Sequence, residues 1–428
     1  MTACARFIIL AFSLALPLPR PQGSPSKTDI PALLGSAEDA LNRKDFAAAA
    51  KILQAVVQAQ PDSYAAWFDL GFADSGLRQN DDAVKAYQRA IQLKPSLFAA
   101  RLNLGILLVE MNQPAAATEH LAKAVELEPQ NAKAHLYDGR ALAQTGHAAE
   151  AEKQFQEALR LSPGLAIAHF DLAQLELDQK RCAEAVGEFQ KSAGLDPHLA
   201  QAQLGMALGF ECLKQEPEAI PHFEQYLAAK PDDAETRFHL AKVYLDQAKP
   251  EQAQAALEFV RQANPNLPGL AAALGDVYAL LKKFPESEKY YRQALAATGA
   301  AATGSADLHR ALGQTLLDEQ KPADAEAEFR TALKLDPHNE EAAKGLASSL
   351  YIEKRYAEAA PLIAVLVRQP RASPGLYFLL ATCYDHLRDR PQALAAYERF
   401  LSLSHGESPD QEWQAAQRAK LLRRVLGK

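Results

Sequence analysis

Cysteine is scarce in this sequence: Cys4, Cys182, Cys212 and Cys383 are the four in 428 residues. Removal of an N-terminal leader leaves three, an odd number with no close pair and no C-x-x-C, which argues against both a disulfide framework and a zinc site. Buried thiols packing as small hydrophobes are expected instead. Basic charge is short as well, since 53 acidic residues outnumber 46 basic ones for a net charge of −7. The broad positive footprint of a nucleic-acid partner is therefore missing. No segment beyond the N-terminus is apolar for the roughly 20 residues that a membrane-spanning helix needs. There is no P-loop, no dinucleotide glycine fingerprint, no G-x-S-x-G and no H-E-x-x-H, so no motif calls for a cofactor or a metal.

At the N-terminus stand Arg6, an apolar run from Phe7 to Leu16 and a proline-rich exit, with the small residues Ser13 and Ala15 placed before a cut. We read residues 1–15 as an export signal, with the cut as late as about residue 25, and 16–29 as a Pro-rich linker. The chain is then periplasmic or secreted if its source is bacterial, and cytoplasmic if the start is misassigned.

What fills the rest is repetition. Pro61, Pro95, Pro129, Pro163, Pro197, Pro231 and Pro265 stand 34 residues apart, and the series resumes at Pro337. A fixed period of this size predicts stacked structural units. Aligned by those prolines, one column holds ten alanines and a serine, from Ala49 through Ser287 to Ala393. A second, from Ala37 to Ala381, holds nothing larger than a methyl group, and a third, from Leu53 to Tyr397, is always large. Small residues let helices approach and large ones fill the space between them, so the columns predict eleven interlocking helix pairs. Apolar residues recur at helical spacing, without strand-like alternation, as in Leu308, Leu312 and Leu316. Turn signals such as Arg78 to Asp82 and Gln144 to Ala149 separate the two helices of a pair, and Pro114, Pro217, Pro250, Pro285, Pro322 and Pro391 open the second helix.

The stretch from Ala65 to Pro95 resembles a tetratricopeptide repeat, through Trp67, Leu70, Gly71, Ala83, Tyr87, Ala90 and Pro95. The resemblance runs from about Ile30 to Gly406, with His135, His169 and His309 at the Trp position of three repeats. Those histidines are expected to pack in the core or between helices. The resemblance implies an all-α fold, a right-handed α-solenoid or superhelix of tandem helix pairs over residues 30–407. Four extra residues between Gly275 and Gly313 are expected in a lengthened loop at 296–306, with a hinge there as the alternative.

Residues 408–428 are expected to form a capping helix, with Ser408 as N-cap, Pro409 in the first turn and Gln411 completing a capping box. Trp413, Ala416, Leu422, Val425 and Leu426 are its expected apolar stripe against the last pair. The cluster of Arg418, Lys420, Arg423 and Arg424 complements the helix C-terminus, with phosphate or acidic lipid as the alternative reading.

In the resembled family the first helix of each pair lines a concave groove. Carried over residue by residue, this implies groove positions at Ala65, Phe68, Phe72, Leu102, Ile106, Lys133, Leu136, Arg140, Ile167, Phe170, Gln174, Leu204 and Leu208, mostly apolar. The corresponding positions further along include Glu235, Lys242, Asp246, Asp276, Asp307, Arg310, Asp318, Glu341, Lys344 and Asp385, mainly acidic. Asn103 and Lys133 match two positions of the family's carboxylate clamp, but Phe68 and Phe72 replace the others, which counts against chaperone-tail recognition. The function implied is a non-catalytic scaffold holding a protein or peptide partner. A recruiting or regulatory subunit of a separate enzyme, such as a glycosyltransferase or protease, and a cytosolic co-chaperone-like adaptor are the alternatives.

Overall fold

The computed structural model describes residues 29–298, 304–369 and 372–427. The expected export signal and most of the expected linker lie outside them. Among the described residues there are twenty-three helices, α1 to α23, and no strand. They form eleven helix pairs, from α1 (Ile30–Asn42) with α2 (Phe46–Ala59) to α21 (Pro374–His386) with α22 (Arg390–Leu403), followed by α23 (Pro409–Leu426). The fold is an all-α solenoid, divided into two compact units between Gly205 and Met206.

The columns of the sequence are the packing. Every residue of the alanine column is fully buried, including Ser287, whose hydroxyl donates to the Gly275 carbonyl at 2.9 Å. The small and large columns meet inside each pair. A Cβ built on Gly105 would lie 2.4 Å from Leu121, and one on Gly139 would lie 2.7 Å from Phe155. Neither position accepts a larger side chain without the helices moving apart.

Two turns alternate along the chain. Inside each pair the chain turns through one residue with φ between 51° and 84°: Lys44, Arg78, Asn112, Gly146, Lys180, Lys214, Ala248, Lys282, Gln320, Lys354 and Arg388. The next N–H bonds back to a carbonyl five residues earlier at 2.8–2.9 Å, as from Arg181 to Glu176, closing a Schellman cap each time. Between pairs the periodic proline occupies the second position of a four-residue turn, such as Gln60 to Ser63, closed by an N–H to carbonyl bond of 3.2 Å. A side chain from the following helix then fastens that turn. Trp67 Nε1 donates to the Pro61 carbonyl at 3.0 Å, Arg101 Nε to Pro95 at 2.8 Å, and Arg237 Nη2 to Pro231 at 2.9 Å. His135 and His169 make the same contact to Pro129 and Pro163 through Nε2.

The histidines are thus fasteners as well as packing residues, and five repeats place a ring or guanidinium nitrogen of the right reach at the Trp position. Their Nδ1 atoms reach the second helix of the pair, His135 to Gln154 and His169 to Glu188, both at 2.6 Å. His309 keeps the second contact, to Glu328 at 2.6 Å, but its buried Nε2 has no partner among the described residues. It follows the one interval where the period breaks. There α16 (Phe284–Thr298) and α17 (Ser305–Asp318) extend into both ends of the expected 296–306 loop, whose middle lies outside the described residues.

Three further expectations need correction. Cys182 and Cys212 are disulfide-bonded, and Cys383 is a buried free thiol. Of the stripe expected on the cap α23, Leu422 is buried and Leu426 packs against the core, whereas Trp413 is 66% and Val425 50% exposed and Ala416 is exposed too; Ala415 and Ala419 take the remaining core places. Ser408 makes no side-chain cap bond; Glu412 receives the Ser404 hydroxyl and, at 2.9 Å, the Gly406 N–H in place of a Gln411 capping box.

Candidate functional site

First helices touch the first helices of neighbouring repeats, α3 (Tyr64–Gly76) to α5 (Phe98–Glu110), α5 to α7 (Ala132–Gln144), and α7 to α9 (Ala166–Asp178). They make one continuous wall in the N-terminal unit, and the implied groove residues divide on it by burial. Leu102 and Leu136 are 6% and 3% exposed and belong to the core, not the wall. Phe68 is half-buried with its ring 5.9 Å from Tyr87, and Phe170 lies 5.6 Å from Phe189. Asn103 and Ile106 are half-buried. Phe72, Lys133 and Gln174 remain open to solvent, Phe72 at 44% with its ring in a T-shaped contact with Phe46.

Arg140 and Gln174 come together at an open cavity of about 520 Å³ between α5, α7 and α9. Glu110, Gln144, Asp171 and Asp178 complete its polar lining, with Val109, Ala143, Phe155 and Leu175 as its apolar patches. Arg140 holds Asp171 in a bidentate pair at 2.5 and 3.2 Å, and burial raises the Asp171 carboxyl's pKa even with the guanidinium against it. Gln174 donates to Asp178 at 3.1 Å. Tyr137 lies between Lys133 and Arg140, which stand 5.8 and 5.1 Å from its ring centre. At the other end of the wall, burial and the neighbouring Glu38 push the Asp69 carboxyl up to about 6. The wall is therefore more acidic than the implied positions suggest. Glu110, Asp171 and Asp178 were missed because charge on a helix face reads as solvated; their recurrence at the ends and flanks of first helices is the signal that could have found them.

In the C-terminal unit, α13 (Ala234–Asp246) and α15 (Leu270–Leu280) bring Lys242, Asp246 and Asp276 around a cavity of about 440 Å³ with Phe238, Leu245 and Leu280. Asp276, Asp307 and Arg310 line a second of about 510 Å³, where the Tyr291 hydroxyl donates to Asp276 at 2.6 Å. Several of the acidic positions are internally paired: Glu341 with Lys344 at 2.9 Å, and Asp385 with Arg418 of α23. Among the described residues no group of three or more His, Cys, Asp or Glu side chains is placed to hold a metal ion, and no helix is long and apolar enough to cross a membrane.

Family models described as tetratricopeptide repeat match residues 102–166, 139–200, 170–234, 214–274, 310–377 and 376–404, and one described as TPR repeat matches 78–112. No curated protein matches the sequence. Among solved structures, MamA from Desulfovibrio magneticus RS-1 is 20% identical, with 40% of this chain and 97% of that chain covered at a TM-score of 0.38. YrrB, described as a TPR protein with an unusual peptide-binding site, is 19% identical over 44% of this chain and 98% of that one, at 0.39. PilF of Pseudomonas aeruginosa is 17% identical over 55% and 99%, at 0.43.

Proposed function

The chain belongs to the tetratricopeptide repeat family, and from that premise we propose that it is a non-catalytic scaffold holding a peptide segment of a partner protein along its first helices, outside the cytoplasm. The observation that carries the reading is the cavity between α5, α7 and α9, where exposed polar groups and apolar patches adjoin on a preformed wall. Its three carboxylates against one guanidinium favour a segment with a basic side chain flanked by apolar ones. Export is supported by the apolar run after Arg6 and by the disulfide-bonded state of Cys182 and Cys212, since disulfides persist in oxidising compartments. No catalytic motif competes with a scaffold role.

The test is capture from native extract by immobilised full-length protein, comparing wild type with Phe72→Ser and with Glu110→Lys/Asp178→Lys. All three side chains are exposed, so the variants should fold. A partner retained by wild type and reduced about tenfold by the charge reversal is the expected result. Equal recovery with every variant would move binding off this wall.

A further inference from the structure

We propose that the outward face of α23 docks on the surface of an anionic phospholipid bilayer. The helix is amphipathic twice over. Ala415, Ala419 and Leu422 are buried against the array, while Trp413, Leu421 and Val425 are 66%, 44% and 50% exposed. Residues 413, 421 and 425 follow one side of the helix for about 18 Å. Large apolar side chains left in water along one ridge mark a contact surface.

The charges identify its partner. Arg418 is engaged by Asp385 and Arg423 by Glu398, the latter at 2.7 Å, so these two cations serve the fold. Lys420 and Arg424 are exposed, without an ion pair among the described residues, and stand beside Leu421. Asp410, in the first turn, complements the positive end of the helix. Cations beside exposed Trp, Leu and Val are the composition of a helix lying in a headgroup layer, where phosphates meet the Lys and Arg and the apolar groups sink below them.

The experiment is co-sedimentation of the full-length chain with phosphatidylglycerol/phosphatidylcholine vesicles and with pure phosphatidylcholine vesicles, at low and high salt. Binding to the anionic vesicles, weaker by about tenfold in Lys420→Glu/Arg424→Glu and falling with salt, is expected. Tryptophan emission should shift to the blue with these vesicles in wild type and not in Trp413→Ser. All substituted side chains are exposed, and the two variants act independently. Absence of binding, equal binding to neutral vesicles, or unchanged binding by both variants would overturn the proposal. So would a lipid-free dimer in sedimentation velocity that Trp413→Ser abolishes, which would assign the face to a second copy.

Discussion

Buried carboxylates are where single residues depart from the repeat. Asp138 occupies the column that holds Leu70, Leu104, Leu172, Met206 and Leu240 in other repeats, is 3% exposed, and leaves Oδ1 without a hydrogen bond. Burial pushes its pKa up to about 6, and that of Glu176 up to about 7. A raised carboxyl pKa means that the folded chain binds the proton more tightly than the unfolded one. The penalty is absent below the unfolded value of 3.8, grows as pH rises to about 6, and is full above that. Asp138→Leu should therefore raise stability by on the order of 2 kcal/mol at pH 7 and by less at pH 4. Urea unfolding at both pH values measures this; a pH-independent difference would assign the effect to packing. The buried site was open to reading in the sequence, because an acid in a leucine column stands out once the columns are drawn. Its orphaned oxygen was not, since that depends on which neighbours reach it.

Within an element pair, the turn residue and the small column set the geometry. Ten of the eleven left-handed turn positions carry a side chain, and Lys180 at φ 63° is one. Left-handed backbone favours glycine, so Lys180→Gly should gain about 0.5 kcal/mol, read as a shift in the urea midpoint. A loss would mean that the lysine stem contributes packing there. Gly105 predicts the opposite sign. Gly105→Ala places a methyl against Leu121 and should cost roughly 1–3 kcal/mol by overpacking, measured by thermal unfolding. An unchanged melting temperature would show that the two helices part freely. The proline and Trp columns were legible as periodic positions. Their joint role, a side-chain N–H fastening the proline carbonyl, required the helix to bring residue i back over residue i−6.

For the molecule as a whole, each pair depends on its neighbours, and the last depends on α23. Deleting residues 408–428 removes Ala415, Ala419 and Leu422 from a core that includes Tyr397 and Phe400, and should cost about 3 kcal/mol. Hydrogen exchange in α21 and α22 should rise first; uniform loss of protection would show that the C-terminal unit unfolds all at once. The sequence by itself determined the repeat, the eleven pairs, their turns and the identity of the core columns, because period and side-chain size are local properties copied each time. Tertiary structure decided which of the groove positions are wall and which are core, moving Leu102 and Leu136 inward and placing Glu110, Asp171 and Asp178 beside Arg140. It also decided which side of α23 is left in water. Both depend on the rotation of one helix against the next, and that rotation is set by packing between repeats, which the pattern within a single repeat does not contain.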